Sequence, residues 1–347
     1  MVRRTQFPVA ICVLFLLYQA ANLFTAHDDA SVSTTISQSD FPKILWQTEK
    51  TQEEADSRWS DKVSSWTDLN PDYQYELLTG MSHLCLVFRI LEETYHLTDE
   101  SMDDFVQEHF AKSHAILSFW QDLREIPVLR TDLLRYLVML AVGGTYSDMD
   151  TTNYLPISEW VPEHLRDQEI NVIAGLEYAD HTYRIFSRSV SFCQWTLMAK
   201  PGHAIFRAAV QRVIDRLEFI SRMRKLEVSQ LRLSDLTRED VLEATGPGTF
   251  SDSVMEVLKD QTGNPNLQWM DFYGMQEPKV FGDVLVLPIN MFGWGQKHSN
   301  SSQPGWGELY VRHHFGGKGR WGKGVAPPPK PALVEGTKQA LVEGPKQ

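Results

Sequence analysis

Basic charge is the first thing this chain is short of. Its 33 lysines and arginines face 45 acidic residues, a formal charge of -12 at pH 7. That balance excludes a broad phosphate-binding surface of the kind that holds nucleic acid. A phosphorylated ligand on so acidic a protein calls for a metal. Long apolar runs are missing as well: from residue 41 onward none approaches the ~20 residues of a membrane-spanning helix. Cysteine is scarce, with Cys12, Cys85 and Cys193 the full set, too few for a disulfide framework. What the chain does have is 347 residues at 42% hydrophobic content, enough for a real core in one large domain or two small ones.

The one apolar run lies at the start, from Phe7 to Phe24. As a helix it would be about 27 Å long, enough for a thin early-secretory bilayer. Arg3 and Arg4 precede it and Asp28 and Asp29 follow, which favours a cytosolic segment 1–6, a signal anchor over 7–24 and a luminal remainder. A cleaved signal peptide ending near Ala26 is the competing reading. Residues 25–40, rich in Ser, Thr and Asp, suit a stem, and the folded domain is expected over 41–325. Residues 326–347 repeat ALVEGTKQ as ALVEGPKQ and read as a disordered tail. With Cys12 in the anchor, Cys85 and Cys193 are the only possible luminal pair, and spacing does not decide whether they bond. Asn300-Ser301-Ser302 is a glycosylation sequon in a polar loop, compatible with a luminal domain.

Between stem and tail, strand and helix patterns alternate. FPKILWQT, YQYELLT, TYSDMD, VIAGLEY and DVLVLPINMF read as strands. Helical spacing covers the segment carrying Trp59, Val63 and Trp66, then residues 100–120, 127–142, 203–229 and 251–259. Strands separated by helices predict an α/β sandwich with a mostly parallel sheet, whose ligands bind beyond the carboxyl ends of the strands.

GGTYSDMD, residues 143–150, carries the chemistry. On a strand, Asp148 and Asp150 would share a face with Cα atoms about 6.6 Å apart and could address one hard divalent cation. Three other readings stand beside it. A calcium loop from Asp148 would end at Glu159, but Asn153 replaces its glycine and Pro156 falls inside it. DMDTT fits a phosphatase pattern with Asp148 as nucleophile, although AVGGTYS is not the continuous apolar strand that pattern needs. The fourth is a solvated acidic turn. Upstream, RTDLLRYLVMLAVGG reads as a buried helix on which Asp132 and Arg135 stand three residues apart on one face. They form either a structural ion pair or a pair facing sugar hydroxyls and phosphate oxygens. The TGPG turn at 245–248 opens a helix whose free amides could hold an anion. Gln194 and Trp195 could form an acceptor platform, or belong to an apolar helix facing the core.

Six blocks in order, FPKILWQT, RTDLLRYLVMLAVGGTYSDMD, FCQWTLMAKPGH, TGPGTFSD, DVLVLPINMF and VRHHFGG, resemble glycosyltransferase family 32, most closely its fungal initiation-specific alpha-1,6-mannosyltransferases. The resemblance runs from Phe41 to about Trp321. It implies a GT-A fold, a GDP-mannose donor, manganese or else magnesium, and retaining transfer to an oligomannose N-glycan in the Golgi. By position, Asp150 becomes the direct metal ligand, Asp148 reaches ribose or metal, and His313 contacts metal or diphosphate ahead of its neighbour His314. Asp132 and Arg135 become contacts to the donor sugar, with Trp46, Gly144 and Tyr146 completing the donor side. The chain departs from the family's HQTW block, with Trp46 in place of histidine and Glu49 in place of tryptophan. Trp46 would stack on the nucleotide base or sit in the core. Retention demands either a protein nucleophile and two inversions or attack from the face the leaving group departs, and because spacing singles out no carboxylate as nucleophile the same-face route is preferred. Two alternatives remain within the resemblance: an inositol phosphoceramide acceptor, disfavoured by the lack of later membrane spans, and a non-catalytic subunit of a Golgi mannosyltransferase complex.

Overall fold

The computed structural model describes residues 41–80, 102–179, 188–296, 299 and 301–316. The expectations for the anchor, stem and tail, for Cys85 and for Asn300 lie outside these residues. Among the described residues no helix is long and apolar enough to cross a membrane. Cys193 is buried and bonds no other cysteine among the described residues.

Strand β1 (Ile44–Glu49) lies between two parallel neighbours, β2 (Gln74–Thr79) and β3 (Gly144–Ser147). Beyond β3 the order continues through β7 (Thr196–Ala199), β5 (Val172–Ala179), β9 (Val284–Leu287) and β8 (Lys279–Phe281), with β6 (Val190–Phe192) pairing to β5. β5 and β9 are parallel, while β7 is antiparallel to both β3 and β5. A second sheet of two strands pairs β4 (Thr151–Asn153) with β10 (Val311–His313). Helices cover the large sheet: α1 (Gln52–Thr67), α2 (Met102–Phe110), α3 (His114–Asp122), α4 (Pro127–Ala141), α5 (Ala204–Arg224), α6 (Arg238–Ala244), α7 (Pro247–Thr262) and the short α8 (Ile289–Gly293). The architecture is the expected α/β sandwich of GT-A type.

Local chemistry explains the boundaries. Thr51 caps α1 by accepting the Glu54 N–H at 3.1 Å, and Glu53 and Glu54 favour its positive end. Pro127 and Pro247 occupy the first turns of α4 and α7, where a missing N–H costs nothing. Gly143 and Gly144 adopt φ of +73° and +94°, and a Cβ on them would lie 2.5 Å from the Ala199 carbonyl oxygen and 2.6 Å from that of Ile44. Only glycine lets α4 turn into β3 this close to its neighbours.

Four expectations need correction. The strand through TYSDMD stops at Ser147, because the Asp148 carbonyl accepts the Thr151 hydroxyl at 2.6 Å and closes a turn through Met149 and Asp150. Residues 100–120 hold two helices, since Ser113 starts a second one by accepting the Ile116 N–H at 3.4 Å. The block FCQWTLMAKPGH contains β7 rather than a helix. In DVLVLPINMF, Pro288 ends the strand and α8 follows.

Candidate active site

The site forms where β3 ends, beside the start of its antiparallel neighbour β7. The Asp148 N–H donates to the Trp195 carbonyl at 2.9 Å, so the last residue before β7 and the first after β3 are tied together. The small β4–β10 sheet then returns the far end of the chain: His313 pairs in register with Thr151. Its Nε2 consequently lies 3.1 Å from Asp150 Oδ1, across 163 positions of sequence. Ligand atoms of Asp148, Asp150 and His313 all lie within 4.8 Å of one another. His314 turns the other way, its Nε2 2.8 Å from the Thr152 hydroxyl.

Behind the aspartates stands α4. Arg135 Nη2 is 2.9 Å from Asp132 Oδ1 and 3.4 Å from Asp148 Oδ1, so the helix pair and the aspartate turn form one assembly. Arg135 Nη1 donates to both the side-chain and backbone oxygens of Gln194, and Gln194 Nε2 donates to Asp132 at 3.4 Å. Thr245, ahead of α7, donates its hydroxyl to the other Asp132 oxygen at 2.7 Å. Asp132 is thus spent on protein partners, which makes it a support for Arg135. Burial works against the Arg135 charge, but Asp148, Tyr146 and Asp132 outweigh it and hold the guanidinium firmly protonated. Asp148 shows the opposite balance: burial, joined by repulsion from Asp150, keeps its carboxyl above the usual range despite Arg135.

Tyr146 lies with its ring under the Arg135 guanidinium, 5.2 Å from ring centre to the guanidinium carbon, its hydroxyl donating to Asp148 Oδ1 at 2.8 Å while lying 3.1 Å from the Thr48 hydroxyl. Trp46 does not join it. That indole is 5% exposed, packs edge-on against Phe105 and donates to the Gly143 carbonyl at 2.8 Å. It is a core residue, and its burial corrects the expected stacking on a base. Gly144 likewise serves backbone packing.

Sequence reading missed Glu177. It lies on β5, 5% exposed, accepting the Trp195 indole N–H at 3.2 Å through Oε1. Oε2 is buried with no partner. Burial pushes its carboxyl up to about 7, against the pull of His313 and the Trp195 N–H. The available signal was a single charge inside VIAGLEYA, a strand buried at all eight positions.

Together Asp132, Asp148, Asp150 and Glu177 face one guanidinium and one imidazole. Of these groups only Asp148, Asp150 and His313 bring ligand atoms around one point, and two carboxylates with one imidazole fit a divalent cation such as Mn2+ or Mg2+ whose other positions go to phosphate oxygens and water.

Comparison with known proteins agrees with this chemistry. Residues 56–167 match a glycosyltransferase sugar-binding region containing a DXD motif. An initiation-specific alpha-1,6-mannosyltransferase of Schizosaccharomyces pombe is 33% identical, over 80% of this chain and 63% of its own. The chain therefore spans somewhat under two thirds of that relative's length. Proteins of the same description from Candida albicans and Saccharomyces cerevisiae are 26% and 25% identical, over 80% and 81% of this chain and 71% and 78% of theirs. Among solved structures, PaToxG glycosyltransferase aligns with a TM-score of 0.35 at 12% identity, over 65% of this chain and 73% of that one, too distant to inform the site. The matched DXD region includes the aspartate turn and the fungal relatives align with about 80% of the chain, so the chain is similar to DXD-containing glycosyltransferases over most of its folded part.

Proposed function

We propose that this protein is a metal-dependent, retaining mannosyltransferase that moves mannose from GDP-mannose to an oligomannose N-glycan through an alpha-1,6 linkage. The observation that carries the proposal is the convergence of Asp148, Asp150 and His313 on one point, with ligand atoms within 4.8 Å of each other. Asp150 and His313 would hold Mn2+, with Asp148 sharing between the metal and the ribose. The metal supplies Lewis-acid neutralisation of the charge on the departing diphosphate. Arg135, pinned by Asp132 and Gln194, presents its guanidinium to the donor side, while Tyr146 fixes the rotamer of Asp148. An acceptor hydroxyl would attack the anomeric carbon from the face the diphosphate leaves, the bond to the diphosphate breaking and the hydroxyl proton passing to a phosphate oxygen of the departing group. The N-terminal anchor would hold the domain in the Golgi lumen, where it could join a larger mannosyltransferase complex.

The descriptions of the fungal relatives support mannose and the alpha-1,6 linkage, while the oligomannose acceptor rests on the resemblance of the sequence blocks. Matches to a mannosyl phosphorylinositol ceramide synthase of Saccharomyces cerevisiae cover only 40% of this chain. The test is transfer from GDP-mannose to an oligomannose acceptor by the purified chain, with and without Mn2+, beside the Asp148→Ala, Asp150→Ala double variant. Metal-dependent transfer that the variant loses supports the reading. A folded, metal-binding protein that neither transfers nor hydrolyses GDP-mannose would sink it, and would point to another donor or to a scaffold role. Release of phosphate from simple esters without any acceptor would favour the phosphatase chemistry instead.

A further inference from the structure

Two buried polar atoms next to the proposed metal centre have no hydrogen-bond partner among the described residues: His313 Nδ1 and Glu177 Oε2. They belong to groups held in one stack. The His313 ring lies 4.7 Å from the Trp195 ring and 4.0 Å from that of Phe315, and the Trp195 N–H is held by the other Glu177 oxygen. His313 uses Nε2 toward Asp150, so Nδ1 points away from the metal side. An imidazole that ligates through Nε2 must carry its proton on Nδ1, and a buried N–H without an acceptor is destabilising because it has lost its water and gained nothing in return. A carboxylate oxygen equally buried and equally unmatched is the complementary group. Metal-binding histidines regularly give their second N–H to such a carboxylate, directly or across one water.

Resting on the reading of His313 as a metal ligand, we infer that Glu177 is a positioning residue: through one bridging water or a small side-chain rotation, Oε2 accepts the Nδ1–H of His313 and presents Nε2 to the metal. Glu177 touches neither metal nor donor. Its carboxylate fixes which imidazole nitrogen bears the proton and, through Trp195, the plane of the ring.

The experiment is calorimetric titration of the full chain with Mn2+ alone, for the wild type and the variants Glu177→Gln, His313→Ala and Trp195→Phe. Loss of outer contacts of this kind weakens metal binding about 10- to 100-fold. Glu177→Gln should fall in that range, His313→Ala should lose more, and Trp195→Phe should stay within about threefold of wild type. Wild-type affinity in Glu177→Gln beside lost affinity in His313→Ala overturns the inference while sparing the metal site. An equal loss in Trp195→Phe also overturns it, by showing that Glu177 acts only through the indole. Equal affinity in wild type and His313→Ala overturns the underlying reading as well. A second measurement needs no variant at Glu177: nitrogen-15 spectra of labelled histidine in the Mg2+-loaded protein, where Nε2 is taken up by the metal instead of donating to Asp150, with His313 assigned by its absence in His313→Ala. They should show the proton on Nδ1, and a proton on Nε2 would refute the inference.

Discussion

Two ion networks of similar size sit in this molecule and are built on opposite plans. Away from the site, Arg188 and Arg216 face Glu243 and Asp252. Arg188 donates at 2.9 Å to each Glu243 oxygen and at 2.7 and 2.5 Å to the two Asp252 oxygens, and Arg216 donates to Thr249 at 2.9 Å. Two cations meet two anions, and the guanidinium forks match the carboxylates geometrically. At the site four carboxylates meet one guanidinium, and Arg135 Nε, Glu177 Oε2 and His313 Nδ1 go without partners. The first network is complete as folded. The second is complete only with something added, and that difference separates a brace from a binding site more clearly than burial or charge density does.

Breaking the comparison should give its largest effect in the chemistry. Asp150→Ala is expected to lower transfer roughly a thousandfold or more, the loss of several kcal/mol of metal stabilisation, while urea unfolding of the metal-free protein changes little. Arg188→Ala should do the reverse. Leaving Glu243 and Asp252 half-paired next to a side chain only 6% exposed should cost about 3–5 kcal/mol of stability by urea unfolding, with Mn2+ affinity retained in the folded fraction.

A smaller effect sharpens the contrast. Neutralising a carboxylate in the crowded network relieves repulsion, so Asp148→Asn should stabilise the metal-free protein by about 1 kcal/mol, as removal of active-site strain commonly does. Its counterpart Asp252→Asn should destabilise. A destabilised Asp148→Asn protein would show that the site is balanced without its metal.

The smallest expected effect is in the pH dependence of stability, measured in chelator. Glu177 has a folded-state value of about 7 against an ordinary 4.5, so the folded protein holds that proton more tightly than the unfolded chain. Its contribution is full below 4.5 and is lost as pH rises through about 7. Asp252 is shifted downward from 3.8: burial opposes its charge, but hydrogen bonds and ion pairs with Arg188 and Arg216 outweigh it. Its contribution is therefore present above 3.8 and lost as pH falls below it. Glu177→Gln should flatten the neutral limb of the urea midpoint profile, and Asp252→Asn the acid limb.

Local patterns carried much of the fold. The alternation of short apolar runs with helical spacing predicted β1, β2, β5 and α4, because each is set by its own residues. Three failures have a common cause, a contact from far along the chain. The strand through Asp148 ends where Thr151 folds back and β4 leaves for β10. FCQWTLMAKPGH becomes a strand because β3 and β5 flank it, overriding an apolar run that fits either period. Glu177 was invisible because its meaning depends on Trp195 and His313 nearby. At the site, the pairings of Asp148 with Asp150 and of Asp132 with Arg135 were legible from spacing, whereas His313 needed the family resemblance, and Trp46, open between base stacking and the core, proved to be core.

The pairing of β4 with β10 has a consequence in time. Synthesis proceeds from the N-terminus, and earlier parts of a chain can begin folding before later ones exist. β1, β3 and α4 can meet with half the chain made, but Asp150 waits for residues 311–313, and the long loop between them must close before the contact gives any return. The last of the described strands therefore completes the site only after every other part of the site has been made. A chain stopped short of it would keep its acidic turn and most of its core, yet lack the histidine that makes the turn a site.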